Sequence, residues 1–184
     1  MIMAEKNYLY YRDTPESMDI FAHFFWSLLV FFNSKKYKLA VLFGILPDIL
    51  SWGIYSSYLV AKDLPMGRPM INNIPDWTFT LYDISHSIII IAVVFGIVWL
   101  LFRKVPLFLY AWPLHVLIDI PTHTREFLPT PFLWPLSSWH FPGISWGTAA
   151  FMTTNYILIA CAAVIVFIKK EGLLRIARKM LARH

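Results

Sequence analysis

Histidine and aspartate recur in this chain at helical spacing inside apolar sequence. Asp19 and His23 lie four apart, Asp83 and His86 three apart, and His115, Asp119 and His123 four apart in succession, while Asp48 follows Pro47 within another apolar stretch. Spacings of three and four bring side chains to one face of a helix. Ionisable groups inside an apolar span are costly, face a bundle interior or a cavity, and mark a functional site. Imidazole and carboxylate together form a ligand set for Zn²⁺ or another divalent first-row metal. Seven or eight such ligands exceed the needs of one tetrahedral ion, so two or three ions are expected. Bound metal would offset the cost of the carboxylates and lower the pKa of a water to about 7, and a pair of ions would clamp both the attacking and the leaving oxygens. Phosphoester hydrolysis is the reaction that most needs this.

The elements that must position these residues are apolar. Of 184 residues, 58% are hydrophobic, and the mean hydropathy is +0.58, more apolar surface than a soluble domain of this length can hide. The expected fold is therefore all-α: a polytopic membrane helical bundle of about five transmembrane helices. The spans are read at about 18–32, 39–60, 79–102, 105–120 and 146–168, with interruptions at Pro47-Asp48 and Pro113. Residues 1–168 form one catalytic bundle on this reading, and 169–184, with leucines among Lys and Arg, a basic amphipathic tail on the membrane surface. The 8 Trp and 9 Tyr fit interfacial belts. The single cysteine, Cys161, excludes a disulfide framework and a cysteine metal knuckle. The net charge of +5 comes from short clusters that topology and anionic lipid explain, so no nucleic-acid partner is expected. Near the N-terminus Lys6 and Arg12 mix with Glu5, Asp13 and Glu16, and no small-residue cleavage site follows, so the segment reads as retained rather than as a signal peptide.

Basic residues also set an orientation. Lys35, Lys36 and Lys38, then Arg103 and Lys104, then the tail from Lys169 on, are expected on the cytoplasmic side. Five spans place all three clusters there, and leave the N-terminus, the 61–78 loop and the 121–145 loop outside. Asp19, His23, Asp83, His86, His115, Asp119 and His123 then fall at the outer ends of their spans, with Asp48 deeper. The expected setting is a bacterial or archaeal cell membrane, with the N-terminus and site extracytoplasmic and the C-terminus cytoplasmic. The 121–145 loop, rich in Pro, Trp and Phe, reads as a segment in the headgroup layer or a lid over the site.

Several of these pieces together resemble the YdjM-like family of membrane-bound metal-dependent hydrolases. They are Asp19-x-x-x-His23, Gly44-Ile-Leu-Pro-Asp48, Ser85-His86-Ser87, His115-x-x-x-Asp119-x-x-Thr122 and Leu133-Trp134-Pro135-Leu136, spread over about residues 18–140. Their order and spacing carry the likeness more than any one piece. The family is similar in turn to zinc-dependent phospholipase C, so the resemblance implies phosphoester hydrolysis with a lipid substrate. Asp83 departs from it, standing where the family would carry a basic or polar residue, and His123 is not a strict family position.

The expected metal ligands are His23, Asp48, His86, His115, Asp119 and His123. Asp19 or Asp83 is expected as general base, a choice the sequence leaves open; Asp19 also fits a helix cap, and Asp83 a carboxylate that orients a ligand. Arg125 is a candidate for binding substrate phosphate, since a guanidinium fork matches its oxygens, with Lys62 and Arg68 as weaker candidates. His140, among aromatics, reads as a headgroup contact. Ser85 and Ser87 read as packing residues, for no Gly-x-Ser-x-Gly elbow surrounds them, and no His-Glu-x-x-His is present. The alternative function is a divalent-metal transporter using the same His/Asp cluster, which requires polar residues continuing to the opposite face.

Overall fold

The structure is a computed structural model that describes residues 19–67, 71–125 and 128–181, with side chains not described at 71 and from 171 onward. Every regular element among them is helical: α1 (Ile20–Phe31), α2 (Tyr37–Asp48), α3 (Ile54–Ala61), α4 (Asp76–Ser85), α5 (Ile88–Phe102), α6 (Ala111–Thr122) and α7 (Ala149–Leu181). Arg68 and the N-terminal segment read above lie outside the described residues.

Buried apolar residues such as Phe31, Ile91 and Val116 share the interior with polar ones. The interior holds His23, Ser27, Asp48, His86, His115 and Asp119, whereas Phe21, Val60, Leu101, Phe102 and Phe167 are more than 60% exposed. Bulky apolar groups on the outside around a partly polar interior are compatible with an apolar surrounding solvent.

The expectation of five spans is corrected. All five apolar segments are helical, but among the described residues only two helices, Tyr37–Ala61 and Ala149–Lys170, are long and apolar enough to cross a membrane, or three if the bent pair α4–α5 counts as one span. α1 has 12 residues, about 18 Å at 1.5 Å per residue against the roughly 30 Å of a hydrocarbon core. The helix ending in α6, Leu107–Thr122, also falls short. The expected break at Pro47-Asp48 is a widening instead: one helix runs from Tyr37 to Ala61 through a π-helical turn at Ile49–Gly53. The π turn begins two residues after Pro47, and the Ser51 hydroxyl donates to the Pro47 carbonyl at 2.9 Å. Pro113 does not interrupt either, because it falls in the first turn of α6, where no intrahelical N–H is needed. α7 runs on past Ile168 without a break.

The break that does occur is at His86-Ser87, where α4 and α5 meet at 55°. Ser87 starts the new helix as its cap, with Oγ accepting from Ile90 N at 3.2 Å and donating to the Trp134 carbonyl. The 121–145 segment folds back on the helices through this contact, through Ile88 N to Phe132 O (3.0 Å), and through Ile144 N to Pro121 O and Trp146 N to Thr122 O at the end of α6 (2.9 and 3.1 Å). A Cβ on Gly143 would overlap the carbonyls of His123 and Pro121, so only glycine allows this return.

α1, α2 and α6 form the centre, with α4 set against the π turn, α5 against α6 and α7 against α1. The basic clusters gather at the end away from Asp19. The Lys170 ammonium lies 5.3 Å from the Phe32 ring centre and that of Lys36 lies 5.5 Å from Phe108, which joins the far ends of α7, α1 and the start of the α6 segment.

Candidate metal centre

Three helices, α1, α2 and α4, deliver one His or Asp each to a common point, and α6 delivers two. Asp19 caps α1, its Oδ1 accepting from Ala22 N at 3.0 Å, and one turn on His23 faces inward. On α2, Gly44 lets the helix approach α1 so closely that a Cβ would overlap Ser27 Oγ. The next turn carries Asp48. His86 ends α4, and α6 contributes His115 and Asp119.

Second partners fix the imidazoles. His115 Nδ1 lies 2.8 Å from the Gly44 carbonyl and His86 Nδ1 lies 3.0 Å from the Tyr82 carbonyl. Carbonyls only accept, so both Nδ1 atoms carry hydrogen and, in the neutral ring, both Nε2 atoms present lone pairs. Those two Nε2 atoms are 3.1 Å apart. Asp119 Oδ2 lies 3.0 Å from that of His115 and 3.5 Å from that of His86, and Asp48 Oδ1 lies 3.7 and 3.6 Å away. The other Asp119 oxygen, Oδ1, is 3.0 Å from His23 Nε2 and 3.8 Å from His123 Nδ1. Asp119 is thus the hub, each oxygen turned to a different imidazole.

Lone pairs and carboxylates converging in a buried site require positive charge between them, supplied by a proton on a ring or by a cation. The fit to a metal is good on three counts. The donors are all N and O. Ligands on a tetrahedral ion with bonds of about 2.0–2.1 Å stand about 3.3 Å apart, and the separations between the His86 or His115 Nε2 atoms and the Asp48 and Asp119 oxygens span 3.0–3.7 Å. Asp119 Oδ1, His23 Nδ1 and Asp19 Oδ2 are buried without a hydrogen-bond partner; His23 approaches Asp119 Oδ1 in distance but not along a hydrogen-bond direction. Two overlapping groups can hold an ion: His23, Asp48 and His115, and His86, His115 and Asp119. His115 has one free lone pair and serves one ion only.

Beside the cluster is a small cavity of about 40 Å³, room for about three waters at roughly 10–15 Å³ each. Asp19, His23, Asp48, Asp119 and His123 line it, with Asn155 of α7 opposite.

The remaining expected site residues fall differently. Asp19 is both cap and cavity wall. His123 lines the cavity while its Nδ1 donates to the Asp119 carbonyl at 3.1 Å. Asp83 is half-buried and makes no ion pair with the cluster among the described residues; the i, i+3 argument fails because His86, at φ −107° and ψ 12°, has already left the helix. Arg125 is exposed, and its guanidinium donates to the His140 carbonyl at 2.9 and 3.2 Å. Burial and that guanidinium push the His140 imidazole below its ordinary pKa. Lys62 is exposed at the end of α3.

Sequence reading missed the supports. Tyr82 stacks on His86 with ring centres 4.0 Å apart. Trp112 Nε1 donates to the Ser85 carbonyl at 2.7 Å. From α7, Tyr156 donates to Asp19 Oδ1 at 2.7 Å, and Asn155 accepts from Trp26 Nε1 at 3.0 Å. The one signal was a polar pair, Asn155-Tyr156, near the Asp19 end of an otherwise apolar segment.

The class defined by fold and site is an all-helical protein, compatible with a membrane, whose buried His/Asp group could hold a metal ion. No family model matches the chain, and no curated protein or solved structure matches it.

Proposed function

We propose that this protein is an integral-membrane metal-dependent hydrolase that cleaves a phosphoester in a lipid substrate, as the resemblance to YdjM-like hydrolases implies. The observation that carries the reading is the convergence of His23, Asp48, His86, His115 and Asp119 at ligand-like separations beside a cavity. These residues would hold one or more zinc ions or another divalent first-row metal, which when bound supplies charge for a phosphoryl oxygen and makes a water acidic near pH 7. Asp19, rather than Asp83, is the base on this reading. Its Oδ1 is held by the Ala22 amide and the Tyr156 hydroxyl, and its buried Oδ2 has no partner and is free to take a proton from water. The cavity admits a water and a few substrate oxygens but no whole lipid, so the rest of the substrate stays outside its mouth. The basic ends of α1, α5 and α7 lie away from the site, which supports an extracytoplasmic site and a cytoplasmic C-terminus without the five-span count.

Elemental analysis of detergent-purified protein tests this, with wild type beside the double variant His115→Ala/Asp119→Ala. The expected result is at least one zinc-like ion per chain, lost in the variant, and hydrolysis of bis(4-nitrophenyl) phosphate that follows the metal. Wild-type protein free of metal after purification without chelator would overturn the reading.

A further inference from the structure

The cavity contains a hydrogen-bond donor that the His/Asp cluster does not use. Asn155 lines it from α7, the helix that otherwise faces outward. Its Oδ1 accepts from the Trp26 indole at 3.0 Å. An indole N–H only donates, so the contact fixes which way the carboxamide is turned. The oxygen faces α1, and the NH₂ group has no partner among the described residues. Among the other lining residues, Trp146, His23 and His123 also carry ring N–H groups. Asp19, Asp48 and Asp119 are acceptors, and the Thr122 hydroxyl is spent on the Ile118 carbonyl at 3.0 Å. With a bound cation offsetting the charge of the carboxylates, a carboxamide donor on this wall would suit an anionic oxygen of the substrate.

We propose that Asn155 donates a hydrogen bond to a phosphoryl oxygen of the bound substrate, with Trp26 as the residue that orients it. This rests on the metal-dependent phosphoester reading above and extends it. A phosphoryl group has at least two non-bridging oxygens, and Asn155 takes one of them across the cavity. α7 then contributes two consecutive residues to the site, Tyr156 to hold the base and Asn155 to hold the substrate. The simpler role for Asn155, tying α7 to α1 through Trp26, makes a different prediction, because Trp26→Phe removes that tie and leaves the NH₂ group in place.

The test compares Asn155→Leu with Trp26→Phe in zinc-loaded protein, by calorimetric titration with inorganic phosphate and with dihexanoyl phosphatidic acid in the same detergent, alongside metal content. Losing a hydrogen bond to a charged group weakens binding about tenfold to a hundredfold, which is expected for Asn155→Leu. Trp26→Phe is expected to cost about threefold, the size of a typical interhelical hydrogen bond in a bilayer. Both variants are expected to keep wild-type metal. Loss for both probes assigns the donor to the phosphoryl group itself, and loss for the lipid alone assigns it to a headgroup delivered from the bilayer. Equal losses in the two variants overturn the proposal, as does loss of metal in Asn155→Leu. If zinc-loaded wild type binds neither probe, the proposal falls while the metal centre stands; if wild type holds no metal, both fall.

Discussion

The seam between α1 and α6 encloses two hollows of opposite chemistry. At the start of α1 and the end of α6 lies the cavity of about 40 Å³, walled by Asp19, His23, Asp119 and His123. Toward the other end lies an open groove of about 510 Å³, formed with α5 and walled by Phe31, Ile91, Ala92, Phe95, Pro113 and Leu117. The same two helices thus change from ionisable to apolar within about two turns, with His86 and His115 at the boundary. A cation bound at the cluster would face the apolar wall of the groove on that side, where no His, Asp or Glu lines it among the described residues. The contrast favours a dead-end site over a passage, and argues against the transporter alternative.

The strongest way to break this comparison is to place the same amide in each hollow. Asp119→Asn removes the central charge, and it is expected to lower metal affinity beyond the roughly 10–100-fold that losing a ligand's outer partner costs. Leu117→Asn, two residues away but on the groove side, is expected to leave metal content at the wild-type level. If the two variants lose metal equally, the boundary drawn here does not exist.

Next in size is Gly44→Ala. The new Cβ would overlap Ser27 Oγ and lie 2.7 Å from Ser27 Cβ, so α1 and α2 must separate, at a cost of about 1–3 kcal/mol. The Gly44 carbonyl that holds His115 moves with α2, so metal content falls along with thermal stability. Adding Ser27→Gly makes room for the Cβ and is expected to restore the metal even if stability stays low. Failure of that rescue would remove the helix approach as the reason for glycine at this position.

Much of the site was legible because ligands are costly residues. His23, Asp48, His86, His115 and Asp119 stand out in apolar sequence, and the structure brings all five together. Asp83 misled because spacing speaks for a continuous helix, and the chain breaks at His86-Ser87 to let Ser87 cap α5. The helical segments were legible from hydropathy, but the number of crossings was not. Hydropathy marks apolar surroundings, and α1 is apolar over only 12 residues that pack in the centre. Tyr156 and Asn155 were hidden because their roles depend on which helix α7 packs against, a long-range fact with no local pattern.

Tyr156→Phe probes the polar hollow more gently. It deletes one hydroxyl, leaves the ring, and removes the bond to Asp19 Oδ1. The Ala22 amide still holds that oxygen, so α1 stays capped and metal content is expected to be unchanged. Hydrolysis of bis(4-nitrophenyl) phosphate is expected to fall about tenfold, the weight of one hydrogen bond to a charged group, in kcat more than in KM. A loss of metal instead would make Tyr156 a support of the centre rather than of the base.

The smallest effect belongs to Arg125→Ala, and it sharpens the comparison from outside both hollows. A guanidinium next to a His/Asp helix invites a phosphate-binding role, yet here both of its hydrogen bonds go to the His140 carbonyl, at an exposed position. Replacing it should change stability by no more than about 0.5 kcal/mol, as for other surface positions, and should leave phosphate affinity within about twofold of wild type, well short of the roughly tenfold or more that losing a hydrogen bond to a charged group costs. A tenfold loss of phosphate affinity in Arg125→Ala would mean that the 121–145 segment releases His140 and swings Arg125 toward the cavity when substrate arrives. The polar hollow would then be completed by a loop movement, and Asn155 would share its anion with a charge.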